Sequence, residues 1–512
     1  MMILSKRNEL GHVLLAINRP SNIQFFTIDD RNPPGRTPQR NSFKAVVDQQ
    51  RLGKSCKLWR SWSSPPIFHS SDAHQKRWKR SSTEKELKEE PTMTNRLTRR
   101  GFQSSLVATG LLASLSPTRS AMGTLAEEPS PNEPTPNGPS PIKPARQYRV
   151  GIIGATGRGD YGHAVDVPFT RLPNVEVVAC ADANPQGLAK AVERLRPQKS
   201  YADYHEMLSK ESLDLVAICP RWIDQHFEML SAAAQANCHV YMEKPFCPSL
   251  VECDKIRKDF EAKNLKLAIA HTGQYSPVLA TVLELVRQGA IGEVLELRGR
   301  GKEDHRGGAE DLWVLGSHIF ALMRSFAQGD PIRCSARIEV QGQAIRKEHV
   351  VDGNEGLGPL AGDHVQAHYT FPNGISGSFG SRKSMAANPS RFALQVFGSK
   401  GVLEIESGYL APAYILQDGS WSPGRSGKKW EKVTSAGIGL DEPIQDGTYQ
   451  AGHLAAIADL MLAIENQREP KCSLGDALGI TEMILATFES QRVGHEIALP
   501  LESRVHPLTL LG

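Results

Sequence analysis

YRVGIIGATGRG, residues 148–159, decides how the rest of this 512-residue chain is read. Arg149–Ile153 is a short apolar run of strand character. It leads directly into Gly154-Ala155-Thr156-Gly157-Arg158-Gly159. Glycines in such a turn let the chain reverse tightly and bring backbone N–H groups against a pyrophosphate. They also let the following helix start with its positive dipole end at that anion. The spacing is GxxGxG rather than GxGxxG, so the assignment depends on the strands that follow.

Val175–Ala181 (VEVVACA) is a second buried strand, ending at Asp182, where a carboxylate accepts hydrogen bonds from an adenine-ribose hydroxyl. The competing role for Asp182 is as N-cap of the helix that Asn184-Pro185 opens. An acidic residue here favours NAD over NADP, whose 2′-phosphate it would repel. A third strand, Leu213–Cys219, ends at Pro220; His226–Ala236 is helical; His239–Met242 is a fourth strand running into Glu243-Lys244-Pro245. Leu267–His271 is the last of the series. Strands alternating with helices imply a doubly wound parallel sheet that binds ligands at the carboxyl ends of its strands.

After the turn His271–Pro277 and a helix over Val278–Gln288, the pattern becomes a succession of strands. These are Glu293–Gly299, Arg333–Val340, His364–Phe371, Ile375–Ser381, Phe392–Phe397 and Gly401–Ile405, an open and mainly antiparallel sheet. Trp421–Lys432 reads as a polar loop. His453–Asn466 and Asp476–Gly494 read as amphipathic helices, and Ile497–Leu501 as a closing strand. The fold class is α/β: an N-terminal Rossmann domain followed by an α+β domain with an open, mainly antiparallel sheet.

The strand-Glu243-Lys244-Pro245 element, the strand ending at Pro220 with His226 beyond it, and the glycine-rich opening resemble the glucose–fructose oxidoreductase/inositol dehydrogenase (Gfo/Idh/MocA) family, over roughly residues 147–502. The resemblance implies that Lys244 lies beside a nicotinamide and the substrate, with Pro245 in cis. The expected cofactor contacts are Gly154, Ala155, Thr156, Gly157, Arg158, Gly159, Asp182, Pro220, His226, Glu243 and Lys244. A lysine beside a bound pyridinium has a depressed pKa and can assist proton movement from a hydroxyl. The family usually carries Asp-x-Gly-x-His further on; Gly316 and His318 match. Val314 stands where the aspartate is expected, and Ala321 replaces a frequent later aspartate. His318 is the expected acid/base, with Asp311, one helical turn before Val314, or the adjacent Glu310 as a substitute carboxylate. The charged stretch Arg298–His305 is either a solvated loop or part of a substrate site.

The implied activity is hydride transfer between NAD and a hydroxyl of a sugar, cyclic polyol or sugar acid. The cofactor is expected to be tightly held, and the chain to form a homo-oligomer through its second sheet. Two alternatives use the same fold: an NAD-dependent glycoside hydrolase, and a non-catalytic sugar-binding relative.

Charge excludes a nucleic-acid partner. Residues 1–100 hold 20 of the 60 Lys and Arg but only 9 of the 56 Asp and Glu, so the remainder is mildly acidic and carries no basic track. The 8 cysteines are scattered, with no CxxC pair and no Cys/His cluster at zinc spacing, so neither a metal site nor a disulfide framework is expected. Met93–Gln103, with Arg99-Arg100 followed by the apolar run Ser104–Leu115, reads as a twin-arginine export signal. The run is shorter than the ~20 residues that span a bilayer, so no stable membrane anchor is expected. The expected organisation is an extension, mis-assigned or disordered, over 1–92; the signal over 93–123; a proline-rich linker over 124–146; the Rossmann domain over 147–270; and the second domain over 271–505. The destination is the periplasm.

Overall fold

The structure is a computed structural model that describes residues 144–512, together with the backbone of Ile3–Arg7, Val13–Arg19 and Asn22–Ile28. Those three strands pair antiparallel in sequence order, in a stretch whose sequence shows no sustained two-residue period. The expected export signal lies outside the described residues, as does nearly all of the proline-rich linker.

Within residues 144–512, the first sheet comprises β1 (Tyr148–Ile153), β2 (Val175–Ala181), β3 (Lys199–Tyr201), β4 (Leu215–Ile218), β5 (His239–Met242) and β6 (Leu267–Ile269). All neighbours are parallel, in the order β3-β2-β1-β4-β5-β6. Every residue of β4 is buried, which is why it reads as an unbroken apolar run. Helices α1 (Pro185–Leu195), α2 (Tyr204–Lys210), α3 (His226–Gln235) and α4 (Leu250–Ala262) connect the strands. The strand order reverses between β1 and β4, and a crevice opens there at the carboxyl ends.

The connection from β1 to β2 departs from expectation. No α-helix follows the glycine turn; only a 3-10 turn, Val167–Arg171, precedes β2. Ala155 bridges back to Asp160, closing the turn on itself. Positive φ at Asp160, Gly162 and Ala164 keeps the chain turning and prevents a helix from starting. Gly159, at φ +88°, lies so close to the main-chain nitrogens of Arg221 and Trp222 that a Cβ would collide with backbone.

The second domain begins with α5 (Pro277–Arg287) and β7 (Val294–Arg300), followed by α6 (Ala309–Val314) and α7 (Gly316–Ala327). Its sheet continues with β8 (Arg333–Val340), β9 (His364–Thr370), β10 (Ser376–Arg382), β11 (Ala393–Gly398), β12 (Gly401–Glu406), β13 (Ala413–Leu416) and β14 (Glu431–Thr434). The order is β8-β9-β10-β7-β11-β12-β13-β14, antiparallel throughout except for β7 against β10. Strands β13 and β14 lie where the sequence suggested little or only a polar loop. The expected closing strand shrinks to Ile497–Ala498, paired with the start of β8.

Two helices complete the fold: α8 (Tyr449–Glu465) and α9 (Leu474–Val493). Every residue of α9 from Ala477 to Phe488 is buried, so it is not the one-sided helix expected. Its Glu482 and Asp254 of α4 are both held by Arg504, tying the C-terminal segment to both domains.

Candidate active site

Two cavities open at the carboxyl ends of the first sheet. One, of about 330 Å³, is bounded by Gly154, Thr156, Arg158, Asp182, Asn184 and Tyr204, among others. The other is smaller, about 80 Å³, and holds the ionisable groups. It is lined by His163 from the β1–β2 connection, Glu243 and Lys244 at the end of β5, His318 of α7, and Tyr449 and His453 of α8. Phe392 and Gly408 close it from the second sheet.

Lys244 ends a buried strand and precedes Pro245 across a cis peptide bond. Its ammonium donates to the main-chain carbonyl of Val314 at 3.1 Å. Thus the position expected to supply a carboxylate supplies a peptide oxygen instead. Burial lowers the Lys244 pKa from its ordinary value, opposed by the negative charges of Glu243 and Glu355. Burial also depresses His318 well below the usual imidazole range, helped by His271 and Lys244, so its ring is neutral at pH 7.

Glu243 is 1% exposed and organises the floor. It accepts the amide of Lys244 at 2.8 Å and a hydrogen bond from His163 Nδ1–H. Burial disfavours its charge, but the His163 bond and the positive charge of Lys244 outweigh that and hold it well below the usual carboxylate range. The bond to Glu243 leaves the other nitrogen of the His163 ring for the cavity. His453 Nδ1 bonds the hydroxyl of buried Tyr241 at 2.7 Å, while its Nε2 is buried with no partner. Sequence reasoning missed His163, His453 and Tyr449. They lie far apart in the chain, and the one local hint was a histidine in the glycine-rich stretch after β1.

The other expected site residues separate. Asp311 is fully buried and is not part of the cavity wall. Its Oδ2 accepts Ser381 Oγ at 2.5 Å and the amide of Glu303 at 3.0 Å, so it organises the β7–α6 connection and does not stand in for the missing aspartate. Glu310 instead accepts from Asn354 at 3.0 Å. Ala321 faces a different opening. His226, expected at the cofactor, is a buried pin: one ring nitrogen lies 2.8 Å from the Pro220 carbonyl, the other 2.8 Å from that of Pro245. It joins the two turns that frame the site. From Arg298–His305, Arg298 and Arg300 line a groove on the second sheet, outside the small cavity.

The residues at the larger cavity fit a dinucleotide, with one change from expectation. The turn amides are largely engaged: Gly154 N–H bonds Ala181 at 2.9 Å, Ala155 N–H bonds Asp160 at 3.1 Å and Gly157 N–H bonds the Asp160 carboxylate at 2.9 Å. Asp182 accepts Thr156 Oγ1 at 2.7 Å and the amide of Asn184 at 2.9 Å, while Asn184 itself caps α1. With no helix dipole present, the cation at this cavity is Arg158, paired with Asp224; Arg221, outside its wall, is paired with Glu355. The Nε of Arg221 is buried without a partner, and its main-chain N–H donates to the Gly159 carbonyl. When bound, NAD would supply a hydride acceptor there; Asp182 and the rim of the 330 Å³ cavity would hold its adenosine half.

A doubly wound sheet with an opening for the adenosine half of a dinucleotide, joined to a second sheet that closes over an acid/base cluster, defines a two-domain NAD-binding oxidoreductase. Residues 148–271 match the model described as "Oxidoreductase family, NAD-binding Rossmann fold", and residues 284–499 match that family's "C-terminal alpha/beta domain". The chain belongs to this family, GFO_IDH_MocA. It is 29% identical over 227 residues to a "Glycosyl hydrolase family 109 protein" of Shewanella pealeana, covering 41% of this chain and 48% of that protein. It is 24% identical over 259 residues to a levoglucosan dehydrogenase of Pseudarthrobacter phenanthrenivorans, covering 46% and 65%. A myo-inositol 2-dehydrogenase of Thermotoga maritima is 27% identical over 150 residues, covering 29% and 44%. The chain thus spans about half the length of these relatives. Among solved structures, a levoglucosan dehydrogenase with NADH and levoglucosan superposes with a TM-score of 0.57 at 19% identity, covering 70% of this chain and 100% of that one. An aldose–aldose oxidoreductase from Caulobacter crescentus gives 0.52 at 18% identity, covering 69% and 100%. At these identities the likeness is one of fold.

Proposed function

We propose that this protein is an NAD-dependent dehydrogenase of sugar, cyclic-polyol or sugar-acid hydroxyls. The observation that carries this reading is the joint presence of Lys244 and His318 at the wall of one small cavity, at the carboxyl ends of a Rossmann sheet and beneath the second sheet. When bound, the nucleotide would supply the acceptor for the hydride of the carbinol carbon. The protein's part is to hold the hydroxyl and remove its proton, with neutral His318 as base and Lys244 beside it. His163 and His453 offer further polar atoms for a polyhydroxylated ring. Relatives named as levoglucosan and inositol dehydrogenases support this substrate class.

The test is NADH formation at 340 nm with a panel including levoglucosan and myo-inositol, and its loss in Lys244→Met and His318→Asn variants that still bind NADH. No turnover of any member by a protein that binds NADH overturns the reading. A second reading, NAD-dependent glycoside hydrolysis, is favoured by three histidines and a lysine around the cavity, more acid/base groups than hydride transfer requires, and by the relatives named as glycosyl hydrolases. Release of nitrophenol from aryl glycosides without net NADH would establish it.

From the twin-arginine pattern read in Met93–Leu115 we infer that the mature enzyme is periplasmic, with a tightly held cofactor. Assembly is assigned to the second sheet, one face of which carries a groove of about 570 Å³ lined by Arg298, Arg300, Gln366, His368 and Glu404. Fractionation, retention of NAD through purification and light scattering test these three points.

A further inference from the structure

His271 follows β6, is 2% exposed, and has no hydrogen-bond partner at either ring nitrogen. Buried polar groups in folded proteins are almost always satisfied, so two open positions on one imidazole ask for an explanation. On one side the ring meets His318 edge to face, with centroids 5.1 Å apart and planes at 80°. It also forms part of the wall of a second opening, a surface cleft of about 300 Å³ with Ala321 and Ser325 in its wall and exposed Gln328 and Lys471 at its rim. Neither Lys244 nor His318 lines that cleft. His271 therefore stands between the acid/base cluster and a separate route toward solvent, with both ring nitrogens covered and not bonded to His318 in this structure.

Ala321 keeps the route open. It follows His318 by three residues on α7, one turn further along, and its methyl group leaves room where a longer side chain would fill the cleft.

We propose that His271 relays the substrate proton from His318 to water in this cleft. The proposal rests on the dehydrogenase reading. In the overall step the C–H and O–H bonds of the alcohol break and a carbonyl forms. The hydride reduces the nucleotide, and the proton passes to His318. His271 then accepts a proton at one nitrogen and releases the proton on its other nitrogen to water; exchange of the remaining proton between the nitrogens resets the ring. His271 touches neither hydride donor nor acceptor, so it acts through His318 as a positioning and relay residue.

The charged groups around it are Lys244 and Glu243 at the end of β5, Arg324 on α7 and Asp476 on α9. Burial, then the charge of Lys244, lowers its pKa to about 3, with Glu243 and Asp476 opposing. The resting ring is neutral.

Three variants test the relay: His271→Gln, Ala321→Leu and His271→Gly, each checked for NADH binding by fluorescence. In the first two, kcat for levoglucosan or myo-inositol oxidation should fall about tenfold with KM little changed, and the D2O solvent isotope effect on kcat should increase. Added imidazole should restore much of kcat to His271→Gly. Wild-type kcat and isotope effect in both His271→Gln and Ala321→Leu overturn the relay. A crystal structure of the unaltered protein gives an independent decision. An ordered water joining the His271 ring to the cleft supports the relay, and a ring bonded only to protein overturns it. Failure of the wild-type enzyme to oxidise any polyol is a different result: it removes the dehydrogenase reading, and the crystallographic water still decides whether His271 connects the two spaces.

Discussion

At the scale of single residues, the site turns on the charge of Glu243. One carboxylate bonds the His163 ring and the Lys244 amide, and its charge raises the pKa of a lysine that burial pulls down. Replacing it with glutamine removes the anion that favours the ammonium form, so the Lys244 pKa falls. In Glu243→Gln, the alkaline limb of kcat/KM for alcohol oxidation, where the Lys244 ammonium is lost, should therefore move to lower pH, by roughly one pH unit. A limb that stays put or moves up would separate Lys244 from the rate. Lys244→Met should lower kcat by about 10²–10⁴, the scale of a lost acid/base group, with NADH affinity nearly kept. Lys244 and His318 were legible because each sits in a local motif. Asp311 was misplaced for the same reason: helical spacing near His318 was readable, but the Ser381 hydroxyl that claims its carboxylate comes from 70 residues away. Nothing in the sequence signals that the Val314 peptide oxygen receives Lys244.

At the scale of elements, apolar runs reported strands faithfully where successive residues are buried: β2 and β5 begin and end where their patterns do, and β8 does so too although its outer residues Arg333 and Arg337 are exposed. The turn after β1 shows the limit. Its glycines were legible, but the reversal they produce, with Ala155 bridged to Asp160 and no helix behind it, is decided by φ values that composition does not specify. β14 was missed because its outer residues Glu431 and Lys432 are exposed while only Val433 and Thr434 are buried, which makes a polar-looking strand. Gly159 is the position where this element is least tolerant. Its left-handed conformation costs an ordinary residue about 1–2 kcal/mol, and a side chain would also press on the Arg221 and Trp222 backbone. Gly159→Val should weaken NADH binding at least tenfold, read by fluorescence titration, and lower Tm by several degrees. Gly157→Ala, at φ +90° but with open space around the added methyl, should carry the backbone cost alone and so do less.

At the scale of the whole molecule, the division into a Rossmann domain and a sheet-built second domain was legible from the switch between alternating and successive strands. Their tight union was not, because it depends on groups such as Arg504, whose guanidinium joins Asp254 to Glu482. The union also buries histidines in the neutral form, and this sets how the fold responds to acid. Burial lowers His271 to about 3 and both His453 and His506 to about 4, whereas an unfolded chain titrates them near ~6.5. Above that value neither state is protonated at these rings, and their preference for the neutral form is fully expressed as stability. Between pH 6.5 and about 4 the unfolded chain binds protons that the fold refuses, so stability falls as pH falls, by about 1.4 kcal/mol per pH unit for each ring at the steepest. Calorimetry at pH 8.5, 7.5, 6.0 and 5.0 should show a nearly constant Tm above pH 7 and an accelerating decline below pH 6. His506→Phe, remote from the candidate site and packed beside Phe488, should flatten that decline without altering NADH affinity. A Tm that holds level down to pH 5 in the unaltered protein would mean that these rings are already charged in the fold, or that water reaches them.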